Sequence, residues 1–136
     1  MRLTFFVPGK PAPQGSKRHV GRGIMIESSA TVGPWRERVA LAAHNAMRDR
    51  PDLSMFDGVP LRVGIEFLMP RPASTPKRVT PPAIKRPDLD KLVRAVFDAL
   101  TSVVWSDDSA VVELRASKRL TEVNEQPGAH IRVAAL

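Results

Sequence analysis

The chain reads as an α+β domain: a small mixed β-sheet with two main helices, in the order β-α-β-α-β-β. Three observations carry that expectation. Residues 88–101 repeat apolar side chains at helical spacing, through Leu89, Leu92, Val93, Val96, Phe97 and Leu100. Residues 59–69 alternate instead, with Leu61, Val63, Ile65 and Phe67 on one face. Elements of the two periods alternate along one 136-residue chain, a length that suits a single domain spanning residues 1–136.

Each element follows from local chemistry. Residues 2–8 (RLTFFVP) make a first or edge strand. Residues 9–23 form a Gly/Pro loop carrying Lys10, Lys17, Arg18 and Arg22, with His19 among them. Ile24–Glu27 suits a short extra strand, and Ser28 and Ser29 suit helix caps. Gly33-Pro34 marks the regular start of the first helix, since proline's fixed φ suits a first turn. Val39, Ala42, Ala43, Ala46 and Met47 follow at helical spacing, and Pro51 ends the run. Val111–Lys118 alternates as a strand, 124–128 turns, and His130–Leu136 closes the fold as a last strand.

Residues 70–87 are different material. Six prolines in 18 residues forbid a helix or a central strand, and Arg71, Lys77, Arg78, Lys85 and Arg86 meet no acid along that stretch. This is a basic, extended loop, expected to be mobile when unbound.

Composition narrows the function classes. The formal net charge is +7, which suits a polyanion partner. There are no cysteines, which excludes disulfides, Cys-ligated zinc and a Cys nucleophile. No apolar run reaches the roughly 18 residues of a membrane span, and MRLTFFVPGKPAPQG lacks a signal-peptide cleavage pattern; a cytoplasmic or nucleoid-associated protein is expected. His19, His44 and His130 have no ligand-like spacing, and Trp35 and Trp105 are expected in the core.

Against that basic background, five of the 14 acids fall between residues 88 and 108: Asp88, Asp90, Asp98, Asp107 and Asp108. Pro87 keeps Arg86 out of the helical region, so Asp88 is placed as N-cap and Asp90 in the first turn. A cap residue is not yet helical, so both carboxylates can converge just off the helix end. Asp107 or Asp108, at the mouth of the next strand, is expected to come back toward them. Crowded oxygen ligands repel unless a cation joins them, and short carboxylates suit Mg²⁺, with Mn²⁺ as a substitute. A plainer reading stands beside this one. Asp88 caps, Asp90 complements the helix dipole and pairs with Arg94, Asp98 pairs with Arg94, and Asp107-Asp108 is an ordinary turn.

The run RPDLDKLVRAVFDAL…WSDDSAVVEL resembles the RusA family of Holliday-junction resolvases. The resemblance is strongest over residues 86–114 and softer over the N-terminal strand, the PGKPAPQGSKR loop and residues 59–69. It implies a homodimeric, Mg²⁺-dependent endodeoxyribonuclease that nicks opposing strands of a four-way junction, in DNA recombination and repair. By position, the resemblance places catalytic carboxylates at Asp88, Asp90 and Asp108, with Asp107 as a further metal ligand. The family's catalytic lysine falls on Arg94, a departure: arginine keeps the charge but is a poor proton donor. Lys91 offers an ammonium nearby, on another face. The basic residues at 10–22 and 71–91 would then hold DNA phosphates. Either the alanine-rich helix face at Ala42, Ala43 and Ala46 or an edge strand is expected to carry the dimer. A flap or other branched-DNA nuclease and a non-catalytic nucleic-acid-binding module are the rival readings.

Overall fold

The structure is a computed structural model, and it describes residues 1–15, 17–19, 25–27 and 31–136; for 17–19 and 25–27 only the backbone is considered. Its elements are β1 (Arg2–Pro8), β2 (Lys17–His19), β3 (Met25–Glu27), α1 (Val32–Arg48), β4 (Leu61–Met69), α2 (Leu89–Leu100), β5 (Val111–Leu120) and β6 (Gly128–Ala135). The α+β class and the order of the main elements agree with the sequence reading. The short pair β2–β3 is an antiparallel ribbon of its own, so Lys17 and Arg18 lie on a strand and not in the loop foreseen for them. Arg22, Ser28 and Ser29 lie outside the described residues.

The main sheet has the order β1-β6-β4-β5. β6 pairs antiparallel with β1 on one side and with β4 on the other, whereas β5 runs parallel to β4. Parallel neighbours need a crossover, and α2 supplies it. Both helices cover one face. That face takes Leu61, Val63, Ile65, Phe67 and Met69 from β4, Ala129, Ile131 and Val133 from β6, and Leu3 and Val7 from β1. Period two explains why these residues alternate with polar ones, and period 3.6 explains Leu92, Val93, Val96 and Leu100 on the facing side of α2. Each such side chain contributes roughly 1.5–3 kcal/mol through burial. Trp35 and Trp105 are both in this core. Trp105 packs edge-on against Phe97 at 5.5 Å, and its indole N–H donates to the Thr101 hydroxyl at 3.0 Å.

Gly128 makes the closest approach in the sheet. Its φ is +159°, and a Cβ there would stand 2.1 Å from the Val7 carbonyl oxygen, so β1 and β6 can meet only with a glycine at this position. Among the described residues, no helix is long and apolar enough to cross a membrane.

Candidate active site at the start of α2

The crossover decides where the acids go. In a β4-α2-β5 unit the helix runs against its two strands, so α2 begins beside the ends of β4 and β5 and finishes beside their beginnings. Hydrogen bonds mark both ends. At the α2 start, Lys118, near the end of β5, donates to the Pro87 carbonyl at 2.7 Å. At the other end, Phe56 N–H donates to the Val104 carbonyl and Leu136 N–H to the Pro60 carbonyl, next to Leu61.

Asp88 caps α2 in position only. Its backbone is extended (φ −70°, ψ 141°) and its carbonyl receives the Leu92 N–H, but its carboxylate makes no capping bond. Asp90 stands exposed in the first turn. Neither carboxylate pairs with any described residue. The expected Asp90–Arg94 and Asp98–Arg94 pairs are absent among the described residues; Asp98 faces Arg36 at 3.9 Å instead, and Arg94 is exposed and meets no described acid. Two carboxylates without a described partner thus sit at one helix mouth, one turn before an exposed arginine that meets no described acid.

Asp107 and Asp108 are elsewhere. They lie in the turn that opens β5, at the far end of α2, whose 12 residues span about 18 Å at 1.5 Å per residue. The expectation that Asp108 returns to Asp88 within one chain therefore fails on topology: the helix carries the chain away, and only β5 brings it back. Consistently, no three acidic or histidine side chains gather at metal-binding range among the described residues. Asp107 has a local job, accepting the Ser109 N–H at 2.9 Å to cap a single 3-10 turn. That bond, strengthened by the Ser109 side chain, holds its carboxyl below the usual range. Asp108 is exposed, and nothing described engages its carboxylate. The turn as a whole is tied down by Asp57, which accepts the Ser106 N–H at 3.0 Å and also the Ser106 hydroxyl. Glu113 turns to the opposite sheet face and pairs with Arg62.

The cations divide in the same manner. Lys10, Lys77, Arg78, Lys85 and Arg86 are exposed, and no described acid neutralises them. Arg71 is half-buried and holds the proline-rich loop together: it donates to the Thr80 hydroxyl at 2.8 Å, to the Thr121 carbonyl at 3.3 Å, to the Pro76 carbonyl at 2.5 Å and to the Val79 carbonyl. It is a fastener of the loop more than a charge offered to solvent. Thr80 in turn donates to Glu122 at 2.7 Å. The loop is therefore fixed at its base, with its lysines outward. Lys91 is half-buried, and its carbonyl accepts the Gln14 N–H at 3.0 Å, which brings the N-terminal loop to the same helix start.

Two contributors escape a reading of the sequence alone. Gln14 is buried and has no charge to draw notice. Lys118 leaves a trace, because it occupies the apolar phase of β5, in line with Leu114, Ala116 and Leu120. His44 is an exposed helix residue, and His130 lies on β6 with its ring 4.7 Å from that of Phe6.

Comparison with known proteins places nearly the whole chain beside endonuclease relatives. The chain is 31% identical over 129 residues to the uncharacterized protein YqaN of Bacillus subtilis strain 168, covering 88% of this chain and 89% of that one. It is 34% identical over 113 residues to the crossover junction endodeoxyribonuclease RusA of Escherichia coli strain K12, covering 82% of this chain and 78% of the relative. The family model for Endodeoxyribonuclease RusA matches residues 8–134, and the chain belongs to that family.

Proposed function

We propose that the protein is a divalent-metal-dependent endodeoxyribonuclease that resolves four-way DNA junctions by nicking opposing strands, and that it acts as a homodimer. The carrying observation is the pair of bare carboxylates, Asp88 and Asp90, at a helix mouth flanked by cations that no described acid neutralises. Membership in an endodeoxyribonuclease family supports the nuclease, and the name of the Escherichia coli relative supports the junction.

The donor set fits Mg²⁺ or Mn²⁺, which commonly take one or two carboxylates and complete their shell with water and phosphate oxygens. Asp88 and Asp90 would hold the cation, which when bound would lower the pKa of a water and screen a phosphate. Arg94, exposed one turn into α2, carries a fixed charge for a phosphate oxygen and is too weak an acid for proton transfer. Lys10, Lys77, Arg78, Lys85 and Arg86 would grip backbone phosphates, which position DNA without reading its sequence.

Asp108 joins this site only from a second chain. β5 is a sheet edge, with Val112 62% and Leu114 45% exposed. If two copies met antiparallel along β5, the start of one strand would face the end of the other. Asp108 of one subunit would then approach Asp88 and Asp90 of its partner. The same two-fold axis would present two sites to a substrate with two equivalent scissile phosphates. On this reading the alanine face of α1 is not the interface; Ala43 is already in the core.

Incubation with four-way, three-way, flap and linear duplex DNA tests the proposal. Symmetric nicking of the four-way junction in Mg²⁺, abolished by EDTA, is expected. Faster cutting of flaps would favour a branched-DNA nuclease of other specificity, and metal-independent binding without nicking would favour a binding module.

A further inference from the structure

We infer that Lys118 is a positioning residue for the proposed metal site, acting through the backbone that leads into Asp88. This role rests on the nuclease reading above and adds a residue to it.

Lys118 is unlike the other cations of the chain. It is half-buried, on the helix-facing side of β5, in register with Phe67 of β4. A lysine in an apolar phase must bring its ammonium to acceptors, and it pairs with no acid among the described residues. Its Nζ donates to the Lys85 carbonyl at 2.8 Å and to the Pro87 carbonyl at 2.7 Å. These carbonyls belong to the turn that delivers the chain to Asp88. Pro87 has no N–H, and among the described residues the backbone of 83–87 makes one backbone–backbone bond outside the helices, Ile84 N–H to the Pro82 carbonyl at 3.0 Å.

The consequence is mechanical. Asp88 has an extended backbone and no capping bond, so its own side chain does not fix its direction. What holds it is the α2 backbone on one side and the Lys118 clamp on the other. β5 pairs with β4 from Val111 to Leu120, so the clamp ties the turn before Asp88 to the sheet.

Lys118→Met and Lys118→Arg test this, with two measurements. The first is made on metal-free protein: trypsin cleavage after Lys85, referred to cleavage after Lys77 and Arg78 in the same loop. The second is the Mg²⁺ concentration giving half-maximal junction cleavage, alongside junction affinity in EDTA. For Lys118→Met we expect faster cutting after Lys85 and a Mg²⁺ midpoint raised about tenfold, the lower end of the effect of outer-shell partners. Affinity in EDTA should stay within about twofold, since a residue bonded to carbonyls is not a phosphate contact. Lys118→Arg, which keeps charge and donors, should fall between wild type and Lys118→Met on both measures.

An unchanged Mg²⁺ midpoint in Lys118→Met would overturn the positioning role, even if trypsin cut faster, because the clamp would then fasten the loop and nothing more. An affinity loss matching the activity loss would overturn it as well, by making Lys118 a DNA contact. Wild-type protein that cuts no DNA would overturn the nuclease reading itself, which separates that failure from a failure at Lys118 alone.

Discussion

Two pairs of aspartates flank α2, and the structure treats them differently. At the start of the helix, Asp88 and Asp90 are both bare, although one of them occupies a capping position where a carboxylate ordinarily bonds to the first turn. At the far end, Asp107 is tied to the Ser109 N–H, and only Asp108 lacks a described partner. The difference shows that spacing in sequence is a poor guide to a shared site when a crossover helix intervenes. It also sorts the four acids by occupation: three carry no described side-chain partner, and the fourth builds the turn that presents its neighbour.

Neutralising one acid at a time puts that contrast under the greatest stress. Asp90→Asn should lose cleavage by more than the roughly 10–100-fold typical of groups that only support a ligand. Its affinity for a junction in EDTA should equal or exceed wild type, because a negative charge facing phosphates is removed. Asp108→Asn should match it. Asp107→Asn should cleave nearly normally, since an amide oxygen still accepts the Ser109 N–H. Single-turnover cleavage of the three variants checks the ranking, and an inactive, well-folded Asp107→Asn would move that residue into the site.

A smaller effect separates the two kinds of basic residue in the 70–87 loop. Lys77, Arg78, Lys85 and Arg86 replaced together by Ala should flatten the salt dependence of junction binding, by about 0.9 in log–log slope for each duplex phosphate no longer neutralised. Arg71→Ala should lower the melting temperature with little change in slope, because its guanidinium serves the Pro76, Val79 and Thr121 carbonyls. Equal slopes for wild type and the fourfold variant would remove the loop from the DNA interface.

The smallest effect concerns the end of β5, where charges are paired and not bare. Arg119 binds Glu125 at 2.7 and 2.8 Å, and this holds the Glu125 carboxyl down at about 2. A folded-state value below the ordinary 4.5 means the pair stabilises the fold above that pH and loses its effect as pH falls toward 2. Glu125→Gln should therefore melt lower than wild type near neutral pH, with the gap closing between about pH 4.5 and 2. Thermal melts across that range check it; a gap independent of pH would mean packing, not charge, is what Glu125 supplies.

Much of the fold is legible in the residues. Strict periodicity marks α2 and β4, since each has one buried face, and Pro51 and Pro87 mark boundaries through φ and the missing N–H. The extra hairpin is legible only as a short strand around Met25. Strand order is not legible at all: that β5 lies parallel to β4 depends on contacts between residues about 50 apart, for which local sequence carries no sign. The same gap misplaces Asp108. Charge is visible in a sequence but partners are not, so Arg71 reads there as a DNA contact, and Asp98 as a partner of Arg94 in place of Arg36. Lys118, a cation in an apolar phase, is the readable clue to the clamp at the start of α2.

Whether each site is assembled from two chains is decided by mixing two dead variants, Asp90→Asn and Asp108→Asn, refolded together so that subunits exchange. If the site is shared, a mixed dimer holds one doubly damaged site and one intact site, with Asp88 and Asp90 from one chain and Asp108 from the other. Random pairing then restores roughly a quarter of the wild-type sites, seen as single-strand nicks in a junction that neither variant cuts alone. A mixture as inactive as its components would contradict the shared site and return all three carboxylates to a single chain.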